Sequence, residues 1–239
     1  MKSQLYFWKP MMNYYQEELN RVELYYNKSK SVFEFTESDI ENEVAAIINS
    51  IEMPEGSIDP SDLGDYMEDM EVSLYETALA MKSNHLFITI SMLGHMWEQQ
   101  VVRFVRKELR ESFGQRIGVI SFSKALEVIE KHGVEYKEQA SFTKIKELRL
   151  LVNTIKHAEG QSAERLRRIR PDFFETEGFS EDDIMDILEL NDSVLLDPYS
   201  LNVKETDLFD YIKATQDFWN EMPERAFYDW QADSAEVVN

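Results

Sequence analysis

The sequence predicts an all-α protein. Apolar residues recur at helical spacing along most of the chain, only eight glycines and six prolines interrupt 239 residues, and alternating β-branched runs are almost absent. An apolar content of 43% is enough for a core at this length.

Each element follows from local chemistry. An amphipathic segment spans Met11 to Asn27 and ends in the polar NKSKS stretch. A second helix is expected after Thr36-Glu37-Ser38-Asp39, a capping region, and runs to about Ile51. MPEGSIDPSDLGD, with Pro54, Gly56, Pro60 and Gly64, is the best linker candidate. From Leu63 to Ser112 the spacing predicts one long helix, or two joined near Lys82-Ser83-Asn84, followed by a turn from Gly114 to Gly118. Ser121 or Ser123 caps a shorter helix that stops at His132-Gly133. The next helix starts near Ser141, whose hydroxyl is expected to accept first-turn amides, and stops at Gly160. A short helix from Ser162 to Ile169 ends before Pro171, and Phe173-Phe174 folds back onto the core. A helix near Glu181 to Leu190, an extended piece from Val194 to Val203 and a helix from Glu205 to Met222 complete the chain. Trp97, Phe104 and Trp219 are expected in the core.

Composition also excludes. No apolar run approaches membrane-spanning length and MKSQLYFWKP lacks an apolar signal core, so a cytoplasmic protein without membrane association is expected. The absence of cysteine removes disulfides, thiolate zinc sites and cysteine nucleophiles, and no cofactor is predicted. The net charge of −21 conceals an asymmetry: residues 103 to 170 hold 16 Lys and Arg against 9 Asp and Glu, leaving 9 against 37 elsewhere. That basic stretch modestly supports an anion site.

Within it lies LRLLVNTIKHAEG, residues 148 to 160. At about 100° per residue, Ile145, Leu148, Leu151, Val152 and Ile155 form a core-facing stripe. Arg149, Asn153 and His157 share an adjacent stripe spread over about 12 Å. Histidine titrates near neutrality and serves as general acid or base, while an arginine fork holds phosphate. Lys156 and the cluster Arg165, Arg167, Arg168 and Arg170 would add electrostatic attraction. The bland account of the same residues is a solvated helix edge, with His157 favoured by the helix C-terminal dipole and Arg149 paired to Glu98 or another carboxylate. His95 and Glu98 sit one turn apart like half a metal site, but no second such pair is present and no metal is predicted.

ITISMLGHMWEQQVVRFVRKEL, followed by KELRLLVNTIKHAEGQSAERLRRIRPDFF, resembles the HEPN (higher eukaryotes and prokaryotes nucleotide-binding) superfamily of helical bundles, many of them metal-independent ribonucleases. Glu98 matches the acidic residue of the family's long first helix, and Asn153 and His157 match its polar residue and histidine. Arg149 stands further from the histidine than the family's spacing, which marks a divergent member. The resemblance covers Asn84 to Phe174 and implies a HEPN-like bundle at 61–174, flanked by acidic helical extensions at 1–60 and 175–239. It implies a homodimer, since HEPN ribonucleases are known for dimeric sites, and an endoribonuclease of the toxin or antiviral defence kind. Arg149, Asn153 and His157 would be catalytic, with Glu98, Lys156 and Arg165 supporting them or binding phosphate. Two other classes stay open: a catalytically inactive HEPN-fold protein that dimerises or binds a protein partner or regulator, and an acidic nucleic-acid mimic. The basic middle and abundant apolar content weigh against mimicry.

Overall fold

The computed structural model describes residues 2–50, 60–114, 117–175 and 185–231, with backbone alone for 60–63. It is all-α: the described residues form eight α-helices, short 3-10 turns and one two-stranded antiparallel sheet. No described helix is long and apolar enough to cross a membrane.

Helix α1, Lys9–Ser29, carries Pro10 in its first turn, where a missing N–H is tolerated. It buries Met12, Tyr15, Leu19, Val22 and Tyr26, a single helical stripe. Helix α2, Glu37–Ser50, opens on the expected capping box: the Asp39 amide donates to the Thr36 hydroxyl at 3.2 Å, and the Thr36 amide donates to the Asp39 carboxylate at 2.8 Å. The two-helix alternative for the next stretch does not hold, because α3 is one 54-residue helix, Pro60–Phe113. It begins inside the linker candidate, whose residues 53–59 lie outside the described ones.

Ser121, not Ser123, caps α4, Phe122–Lys131, accepting the Lys124 amide. Gly133 follows at φ +82°, a conformation that suits glycine. Helix α5, Ala140–His157, corrects one expectation: the Ser141 hydroxyl donates to Glu221 at 2.6 Å, and the Gln139 carbonyl receives the first amides instead. Helix α6 is Gln161–Ile169, and α7, Ile187–Asn191, is capped by the Asp186 carboxylate, which accepts the Leu188 and Glu189 amides. Residues 181–184 of the helix expected there lie outside the described ones. Helix α8, Glu205–Asn220, buries Leu208, Tyr211, Ile212, Phe218 and Trp219.

The described residues divide into two compact units, the first drawn from Met1–Tyr25, Thr89–Val152 and Lys204–Asn239, the second from Tyr26–Ile88 and Asn153–Val203. In the first, β1, Lys2–Tyr6, pairs antiparallel with β2, Arg225–Asp229, from Lys2 against Asp229 to Tyr6 against Arg225. Helical periodicity predicts neither strand. The free edge of β1 is satisfied by α3, since the Tyr6 amide donates to Glu108 at 2.9 Å and the Gln4 amide to the Ser112 hydroxyl at 3.4 Å. Trp97, Phe104 and Trp219 are fully buried, as the sequence predicts.

Helices α3 and α5 meet within this unit at Gly94, where an added Cβ would lie 3.0 Å from Val152 Cγ2. Gly94→Leu is therefore expected to destabilise by about 1–3 kcal/mol through overpacking, despite leucine's better helix propensity. Urea unfolding of the variant checks this, and an unchanged midpoint would mean that the helices do not pack at this point.

Behind the sheet, buried His132 is tied on both nitrogens. Nδ1 lies 2.6 Å from the Val128 carbonyl and Nε2 lies 2.8 Å from the Ser3 hydroxyl, which also accepts the Trp230 indole N–H at 2.7 Å. A carbonyl only accepts, so Nδ1 carries the hydrogen, and in the neutral ring Nε2 accepts a hydrogen bond from the Ser3 hydroxyl. Burial pushes its pKa below the ordinary imidazole value, opposed by the bond to Val128. The unfolded chain then binds the proton more readily, so this contribution to stability is complete above about pH 6.5 and is lost as the pH falls through the folded pKa. Melting curves from pH 7.5 to 5.5 should show a loss in wild type that shrinks in His132→Asn; equal losses would contradict the neutral assignment.

The second unit has its own buried histidine. His85 stacks between Tyr26 and Phe33, at 5.1 and 4.5 Å, and its Nε2 lies 2.9 Å from the Ser29 hydroxyl. Phe173 and Phe174 are buried, so the expected return of this segment to a core is observed.

Candidate functional site

The final turns of α5 and the following α6 belong to the second unit. Thr154 and Ile155 are buried there, whereas Asn153, Lys156 and His157 are exposed at positions i, i+3 and i+4, so one helical turn presents an amide, an ammonium and an imidazole together. Among the described residues, none of the three has a side-chain hydrogen bond or ion pair. The helix then ends at His157, with Ala158 at φ +53° and Gly160 at φ +150°.

Helix α6 divides its arginines. Leu166 and Ala163 are buried, and Arg165 and Arg168 are exposed without an ion pair among the described residues. Arg167 is occupied: it donates to Asp186 at 2.6 Å and to Glu159 at 3.0 Å, with its guanidinium 4.6 Å from the Phe174 ring centre. Arg170 bonds Asp172 at 2.7 Å and lies 3.7 Å from the Phe173 ring centre. Of the four arginines expected to attract an anion, these two instead hold local structure.

Arg149 and Glu98 belong to the first unit, where Arg149 Nε donates to Glu98 Oε1 at 2.8 Å. Its guanidinium also sits 4.6 Å from the ring centre of Phe122, which packs edge-on against Trp97 at 5.4 Å. A stacked, ion-paired arginine has a fixed plane, and any anion binding it competes with a carboxylate already in place.

The same unit contains a cleft of about 940 Å³, lined by α3 and Phe122. Arg103, Arg106, Lys107 and Arg110 line it at i, i+3, i+4 and i+7, against the carboxylates Glu98 and Glu111. Glu98 is neutralised by Arg149, and Arg103 is paired with Glu18. Arg106 Nε and Arg110 Nε are buried with no hydrogen-bond partner. Unsatisfied buried donors are uncommon, because each forfeits the water it had in the unfolded chain. Sequence reasoning counts these cations in the basic stretch but does not single them out; the available signal is the spacing in RFVRKELR.

His95 opens onto this cleft one turn before Glu98, and no group of three or more metal-ligating side chains converges among the described residues. No protein-family model matches the chain, nor does any curated protein or solved structure.

Proposed function

We propose that this protein is a HEPN-like, metal-independent endoribonuclease that works as a homodimer. The observation that carries the reading is the free turn of Asn153, Lys156 and His157, exposed together at the end of α5. Cleavage at RNA requires a base to take the 2′-hydroxyl proton, so that the 2′-oxygen attacks the adjacent phosphorus, and an acid to protonate the departing 5′-oxygen. His157 fills either role, Asn153 orients the imidazole or donates to a phosphate oxygen, and Lys156 and Arg165 attract the strand. One such histidine per chain makes a second copy the natural source of the other proton-transfer group.

The test compares purified wild type with His157→Ala on a mixed RNA pool in the presence of chelator. A toxin or antiviral defence role, in the cytoplasm, fits this activity. A second reading, a catalytically inactive HEPN-fold protein that dimerises or binds a protein partner, is favoured by the Glu98 carboxylate that already occupies Arg149. It predicts no cleavage by wild type, and loss of stability or dimerisation from substitutions at Arg149.

A further inference from the structure

We propose that the α3 cleft is a phosphate-binding site, with Arg106 and Arg110 as its principal anion-binding groups. It stands apart from the nuclease reading, because none of the residues assigned to proton transfer lines it.

Three observations converge. Arg103, Arg106, Lys107 and Arg110 line the cleft from one side of α3, and the i, i+3 and i, i+4 pairs among them have Cβ atoms about 5–6 Å apart. Two of them present buried Nε–H groups with no acceptor, although the chain is rich in carboxylates. A molecule with 46 Asp and Glu against 25 Lys and Arg has ample acid to quench a basic face, yet among the described residues only Arg103 of these cations is given a carboxylate, Glu18. The buried Nε atoms are out of a ligand's reach, but guanidinium groups that line a cleft without a carboxylate partner among the described residues match the oxygens of a phosphate, which accept several N–H bonds at once. The cleft volume, about 940 Å³, lies at the upper end of the range for small-ligand sites, roughly 300–1,000 Å³. It therefore accommodates a polyphosphate-bearing molecule or a short piece of single-stranded backbone. Arg103 has the supporting part, since its partner Glu18 and the Tyr15 ring beneath it hold it in place.

Two probes distinguish the sources of phosphate. One is a fluorescent 2′-O-methyl oligoribonucleotide of about 12 nucleotides, which spans a typical single-strand site and offers no 2′-hydroxyl for cleavage. The other is tripolyphosphate. Full-length wild type at low salt should bind at least one of them. Arg106→Gln/Arg110→Gln should weaken that binding tenfold or more, and for the oligonucleotide should reduce the log-log salt slope by about 0.7 for each phosphate no longer neutralised. Lys107→Gln, at an exposed position, should cost several-fold and keeps the test valid if the double variant melts early. Lys213→Gln, which removes an exposed cation outside the cleft, serves as the control. Binding of tripolyphosphate alone identifies a small polyphosphate ligand, and binding of the oligonucleotide identifies a strand. The proposal is overturned if neither probe binds at low salt, or if the cleft variants bind as tightly as the Lys213→Gln control. A nuclease failure would leave these measurements unchanged, because the strand used cannot be cut.

Discussion

His157→Ala is expected to reduce RNA cleavage by about 10² to 10⁴-fold, the contribution of one positioned proton-transfer group. The side chain is exposed on the last turn of α5 and makes no hydrogen bond or ion pair among the described residues, so its removal should leave stability within about 0.5 kcal/mol. That separation of activity from stability is the diagnostic feature. Arg149→Ala, in contrast, strips Glu98 of its cation and Phe122 of its stacking partner, so it should cost stability. Arg149→Lys should rescue only in part, because an ammonium lacks the fork and the planar face. Gel profiles of the RNA pool, read beside melting curves, measure both effects. Indistinguishable profiles from wild type and His157→Ala across a broad set of RNAs would sink the nuclease reading.

The largest effect on stability is expected at Trp219. Its ring is fully buried, 4.9 Å from Tyr15, 5.7 Å from Phe104 and 5.2 Å from Phe218. Its indole N–H donates at 2.9 Å to the Gln100 side-chain oxygen, and the Gln100 amide donates in turn to the Tyr15 carbonyl at 3.0 Å and to Glu18 at 3.1 Å. One side chain thus joins α1, α3 and α8 within the first unit. Trp219→Ala should cost about 3–5 kcal/mol from the cavity. The orphaned Gln100 oxygen adds about 1–3 kcal/mol unless water enters. Against a typical total of about 5–15 kcal/mol, the variant should be largely unfolded at moderate urea. Trp219→Phe should be milder, keeping most of the packing while losing the hydrogen bond. A Trp219→Ala midpoint within experimental error of wild type would show that this aromatic cluster does not support the fold.

Local chemistry by itself determined the helices and much of their ends. The Thr36–Asp39 box, the stop at Gly133 and the buried stripe from Ile145 to Ile155 depend on residues a few positions apart, and periodicity reports such relationships directly. The exposed turn of Asn153, Lys156 and His157 was legible for the same reason. Tertiary structure alone decided what depends on distant partners. Strand β1 is too short for its alternation to stand out, and the residues that complete its ladder lie more than two hundred positions away. Ser141 has the composition of a cap, yet a carboxylate eighty residues on captures its hydroxyl. The arginines after Gly160 read as one basic cluster, until Asp186 and Asp172 claim Arg167 and Arg170 and leave Arg165 and Arg168 free among the described residues. Likewise, the stripe from Arg103 to Arg110 lies in a cleft only because folding brings Phe122 to its lining and pairs Glu98 with Arg149. Spacing along a helix fixes which side chains share a face, but the charge an anion meets there is set by the partners that long-range folding brings to them.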